Sequence, residues 1–206
     1  MNTQMSKIKP SPYGTIKKLL KFNISLPAVI AKRNLAFNHQ FKINGLIHGQ
    51  CVPPVASMHY GMVNIGWSGC GIIAVYNALF LLGNPHCFYD VISWGDLKAS
   101  TIFGLFGTSP RKAKILFRQL GYTVNTILDK NQFDAQAQKA DICLFTFWNQ
   151  RGSLRRGIHT VCVQYNSGLL NVYNLSNFSS EVAYIASFKE WELSGIAPIV
   201  LYCINR

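Results

Sequence analysis

Cys70 stands between Gly69 and Gly71 in "NIGWSGCGIIAVYNALFLLG", where a polar, glycine-rich loop gives way to an apolar run of helical period. A cysteine nucleophile needs a thiolate near neutral pH, and a helix N-terminus favours one through its partial positive charge and unpaired N–H groups. It also needs small neighbours, so that a substrate backbone reaches the sulfur and a backbone N–H faces the developing oxyanion. Gly66, Gly69 and Gly71 meet that need, and Asn64, six residues before Cys70, offers a side-chain amide as a second oxyanion donor. The chemistry such a group would do is acyl transfer through a thioester.

The base must be a histidine brought from another element and held in its tautomer by a third polar group. Of the five histidines, His39, His48, His59 and His86 lie in an irregular lead-in or a turn, whereas His159 opens a strand in the second half of the chain. Asn174 follows on the next strand, beyond the turn "YNSG". If Tyr165 faces Gly168, His159 lies opposite Asn174 and the carboxamide orients the imidazole. Gln50 is the reserve oxyanion amide, Asn177 replaces Asn174 under a shifted register, and Trp67 either walls the cleft or anchors packing. The loop "WNQRGSLRRGIH" sets Arg151, Arg155 and Arg156 beside the base, where they either stabilise a thiolate and attract acidic substrate groups or form a solvated hairpin tip.

The elements that must position these residues follow from periodicity. Residues 70–83 are apolar almost all round and stopped by "GNP", the pattern of a buried central helix. A second helix is expected over 86–94, and "TSPRKAKILFRQLGY" predicts a third, capped by Thr108 or Ser109, with Pro110 in its first turn and Gly121 at its end. After Gly121 come six runs rich in Val, Ile, Tyr and Phe, "TVNTIL", "ICLFTFW", "HTVCVQY", "LLNVYNL", "VAYIAS" and "IAPIVLYCI", with the short helix "FKEWEL" before the last. Helices first and an antiparallel sheet second make an α+β order.

An amide donor, then Gly-Cys-Gly opening a helix, then His opening a strand, then Asn on the next strand: this order resembles the papain-like cysteine peptidases. The compact spacing is nearer to the bacterial double-glycine leader peptidases, which process bacteriocins. The resemblance covers residues 60–176, and "GLFGTSPRKAKILFRQLGY" (104–122) is similar to that group's substrate-side helix. It implies a papain-like fold whose central helix carries the nucleophile against an antiparallel sheet. It also implies a catalytic triad of Cys70, His159 and Asn174, with Asn64 in the place of a glutamine one methylene longer. The expected activity is a thiol hydrolase acting on a peptide or protein. An acyltransferase, an effector or toxin protease, and an inactive papain-like binding module fit the same residues.

Composition bounds the rest. A chain of 206 residues with 49% apolar residues is sufficient for one buried core. Eight cations precede the first acid, Asp90, so most of the +12 charge sits in the N-terminal part. The expected division is a basic arm over 1–40, flexible to residue 13 and carrying a short amphipathic helix at 16–22, and a catalytic domain over 41–206. Residues 23–69 read as a long irregular lead-in. The arm either contacts an anionic surface or aids solubility, and a basic nucleic-acid- or lipid-binding protein is the competing class. No zinc finger, RRM or KH signature supports sequence-specific nucleic-acid binding. The six cysteines follow no metal-ligand or disulfide spacing, so free thiols, no metal and no cofactor are expected. With neither a transmembrane run nor a Sec signal, the expected location is cytoplasmic, or outside the cell by another export route.

Overall fold

A computed structural model describes residues 25–150 and 157–206. The amphipathic segment at 16–22 and Arg151, Arg155 and Arg156 lie outside the described residues. The chain is α+β, as its pattern of periodicities predicts. Six strands form one antiparallel sheet in the order β3–β8–β4–β5–β6–β7: β3 (Thr123–Ile127), β4 (Ile142–Trp148), β5 (Ile158–Asn166), β6 (Leu169–Tyr173), β7 (Ala183–Ile185) and β8 (Ala197–Asn205). A separate two-stranded ribbon pairs β1 (His59–Tyr60) with β2 (Val63–Asn64).

Alternation along the central strands sorts side chains to two faces. Ile142, Leu144 and Cys162 join the core beneath α3 (Cys70–Leu81), while Cys143, Phe145, Phe147, Val161 and Val163 pack on α6 (Phe133–Ala137) and α7 (Phe188–Leu193). Helix α3 is apolar around its circumference because it is enclosed: Gly71 to Leu79 are all buried, including Asn77, whose carboxamide bonds both the N–H and the carbonyl of Ile47. Three further helices follow the expected positions: α4 (Phe88–Trp94), extended by a π turn over Gly95–Ala99; α5 (Pro110–Gln119), with Ser109 before it and Gly121 after it at φ +90°; and α7.

The lead-in is more ordered than the sequence suggests. Leu26–Asn38 forms a helix, α1, that packs on α4 and the π turn, so the second half of the segment read as an arm is docked on the domain. The residues it buries are Ala28, Ile30, Ala31, Asn34 and Asn38. Two asparagines replace the expected apolar residues because they bond backbone: Asn38 exchanges two bonds with His59, and Asn34 donates to the Gly61 carbonyl at 2.9 Å and to Asp96 at 2.8 Å. Asp96 also accepts from the Gly61 N–H at 2.6 Å. This buried carboxylate ties α1, the β1–β2 turn and the π turn together, and desolvation raises its pKa from 3.8 to about 6 against the lowering effect of those bonds and of Arg33.

The hairpin register also differs from the expected one. Ser167 and Gly168 both take positive φ and form the two-residue turn, pairing Asn166 with Leu169 and Cys162 with Tyr173. The pairing ends there, so Asn174 lies past the ladder and does not face His159 across the strands.

Candidate active site

Three pieces of chain converge on Cys70. The first is the approach to α3. Asn64 ends β2 and caps the one-turn helix α2 (Ile65–Ser68), its Oδ1 accepting from the Trp67 N–H at 3.0 Å. Gly69 joins α2 to α3, leaving Cys70 as the first residue of α3 and half-buried. A side chain at Gly69 would collide with Ile65, which is why the junction is glycine. Gln50, the reserve oxyanion amide, is buried and gives one N–H of Nε2 to the Gly66 carbonyl at 3.1 Å, a carbonyl that Cys51 Sγ also approaches at 3.4 Å. Gln50 therefore braces the loop from behind. Trp67 is 73% exposed and anchors no core.

The second piece is β5. His159 is buried and hydrogen-bonded to Cys70, and the backbone N–H of Thr160 also reaches the Cys70 sulfur, as does that of Gly71. Burial alone would push the Cys70 thiol up; the bond and charge of His159, with the two N–H groups, outweigh it and bring the thiol below its ordinary value. Burial alone would likewise push the imidazole down, and the sulfur together with the Asn174 carbonyl raises it instead. Both shifts favour the same pair of charged forms, thiolate and imidazolium.

The third piece is the turn after β6. The carbonyl oxygen of Asn174 lies 2.7 Å from His159 Nε2. A carbonyl only accepts, so the Nε2 carries the proton and Nδ1 is left for Cys70. The carboxamide of Asn174, expected to make this contact, does not: Oδ1 and Nδ2 are both buried without a hydrogen-bond partner among the described residues. The edge of the ring packs on Phe147, centroids 5.7 Å apart at 83°. Asn177 does not hold the imidazole either; its carbonyl accepts from the Cys51 N–H at 2.8 Å, and with Asn149, His159, Leu175, Ser176 and Phe178 it lines an open cleft of about 430 Å³.

Two contributors escape a reading of the sequence. The Thr160 contact uses backbone, which no residue type announces. The loop 100–108 is the other: Ser68 Oγ donates to the Gly104 carbonyl at 2.6 Å, Thr108 Oγ1 meets the Tyr60 hydroxyl at 2.8 Å, and a Cβ at Gly71 would stand 2.7 Å from Thr108 Cβ. The glycine after Cys70 thus admits this loop to the helix. Among the described residues no group of three His, Cys, Asp or Glu side chains could hold a metal, and no helix is long and apolar enough to cross a membrane.

An α+β chain with a cysteine at the start of a buried helix, bonded to a histidine on an antiparallel sheet, is therefore what the fold presents. It is similar to the crystal structure of the peptidase domain of Streptococcus ComA, a bi-functional ABC transporter involved in a quorum-sensing pathway, with a TM-score of 0.48 and 16% identity over 71% of this chain and 98% of that one. No family model matches the chain, and no curated protein matches it.

Proposed function

We propose that the protein is a papain-like cysteine peptidase in which Cys70 is the nucleophile and His159 the general base and acid. The observation that carries this reading is the mutual bond of half-buried Cys70 and buried His159, which moves the thiol down and the imidazole up against the effect of burial on each. A buried structural cysteine shows the opposite behaviour: Cys162, enclosed in the same core, is pushed far above the ordinary thiol range by burial alone.

In this reading the Cys70 thiolate attacks a peptide carbonyl, forming the C–S bond and placing the electron pair on the carbonyl oxygen. The Cys70 backbone N–H and the Asn64 Nδ2 receive that oxyanion. Capping of α2 by Oδ1 fixes the Asn64 amide plane, and Nδ2 has no partner among the described residues, which suits a donor held in reserve. The tetrahedral species collapses as His159 gives its proton to the departing amine. Water, deprotonated by His159, then attacks the thioester, releases the acid and returns the sulfur to the thiolate. The substrate of this reading is a peptide or protein.

Alkylation of the native protein with iodoacetamide, mapped by mass spectrometry, tests the pair. Cys70 should react first at pH 6, and His159→Ala should abolish that preference. Incubation with a peptide library, with Cys70→Ala as blank, tests the activity. An unchanged Cys70 rate in His159→Ala would refute the reading.

A further inference from the structure

Asn174 occupies a position that a side-chain role does not explain. It takes φ +65°, one of four non-glycine residues with positive φ among the described residues, and it is the first residue after the β5–β6 pairing ends at Cys162–Tyr173. Its side chain is fully buried, yet neither Oδ1 nor Nδ2 has a hydrogen-bond partner among the described residues. An enclosed, unpartnered amide costs stability, so the carboxamide is not what this position is built around. The backbone is: its carbonyl lies 2.7 Å from His159 Nε2.

We infer that Asn174 is a positioning residue that works through its left-handed backbone, which turns its carbonyl onto His159 Nε2, and that its carboxamide is dispensable. Asparagine is among the few residues besides glycine that enter this region readily. A peptide carbonyl has no rotamers to order, so the turn itself sets the imidazole's direction. Because that oxygen only accepts, it keeps the proton on Nε2 and the lone pair of Nδ1 toward Cys70. The raised imidazole pKa, to which this carbonyl contributes, agrees.

The inference rests on Cys70 and His159 being the reacting pair, and one series separates the two. The rate of Cys70 alkylation by iodoacetamide is measured from pH 5 to 9 in the full chain and in Asn174→Gly, Asn174→Ala and His159→Ala, with thermal unfolding of each. Glycine keeps the left-handed turn and removes the carboxamide; alanine removes the carboxamide and disfavours the turn. The expected result is a pH profile for Asn174→Gly within about twofold of the parent, and a rate for Asn174→Ala at pH 6 lower by about tenfold, the order of the left-handed penalty for alanine. If glycine falls with alanine, if alanine matches the parent, or if only the glycine variant fails to fold, the carboxamide matters and the inference is overturned. If His159→Ala leaves the rate unchanged, the reacting pair itself is wrong.

Discussion

The Nε2 of His159 rests 2.7 Å from the carbonyl oxygen of Asn174, and this leaves the other ring nitrogen for Cys70. A bond made on one side of the ring thus decides the proton's place on the other. Among the described residues no carboxylate contributes to the shift of either group.

A pH dependence follows. With the thiol lowered and the imidazole raised, both shifts widen the range of pH over which thiolate and imidazolium coexist, so Cys70 alkylation should fall off at a lower pH than that of an ordinary exposed thiol. In His159→Ala only burial and two N–H groups remain, and the inflection should move up. Rate–pH profiles for each cysteine, read by mass spectrometry, check this; Cys143, Cys162 and Cys203, all buried, should stay unmodified in the native protein.

Asn64 carries two separable duties in the proposed reading. Asn64→Asp keeps an oxygen for the Trp67 N–H and so keeps the cap, but replaces the amide donor with an acceptor. Its melting temperature should stay near that of the parent, while kcat falls by about 10²–10³ on any peptide the parent cleaves. Cys70 alkylation, which builds no oxyanion, should fall far less than kcat, by only what the new carboxylate takes from the thiolate. A loss of stability with unchanged kcat would assign Asn64 to the cap alone.

Asp96 should make the fold less stable as pH rises. Its pKa is raised from 3.8 to about 6, so below the lower value folded and unfolded chains are both protonated and there is no penalty. Between the two values the unfolded chain releases a proton that the folded one retains, and above 6 the full penalty stands, about 3 kcal/mol. Denaturant titrations from pH 4 to 7 should show this decline. In Asp96→Asn the slope should vanish, with lower stability at pH 4 because an amide N–H then meets Asn34 Nδ2.

Gly71→Ala places a Cβ 2.7 Å from Thr108 Cβ and 3.2 Å from its hydroxyl. The contact is with Thr108 Cβ, which a rotation of its side chain does not move, so the loop 100–108 must give way. The expected cost is about 1–3 kcal/mol in thermal unfolding. Peptide cleavage should fall with it, since this loop borders the start of α3.

Much of this arrangement is legible in the sequence, and the failures have physical causes. Strands β3 to β8 show themselves because β-branched and aromatic residues crowd them, and α3 because enclosure leaves no polar face. Cys70 and His159 are legible because each sits at the start of its element. Helix α1 hides because the residues it buries include Asn34 and Asn38, held by backbone bonds where hydrophobic periodicity expects apolar side chains. The register of β5 and β6 is misread because Ser167 shares the left-handed turn with Gly168, a backbone choice that "NSG" does not fix. That same displacement takes Asn174 off the ladder and exchanges its side chain for its carbonyl at His159.

The buried knot at Asp96 also bears on how far the chain can be shortened. Asn34 supplies one of the two hydrogen bonds to that carboxylate, and Arg33 supplies the nearby positive charge. A fragment beginning at residue 41 would strip both away and leave an enclosed acid with the Gly61 N–H alone. The folded unit of this protein therefore includes Arg33 and Asn34, and α1 is one of its structural components.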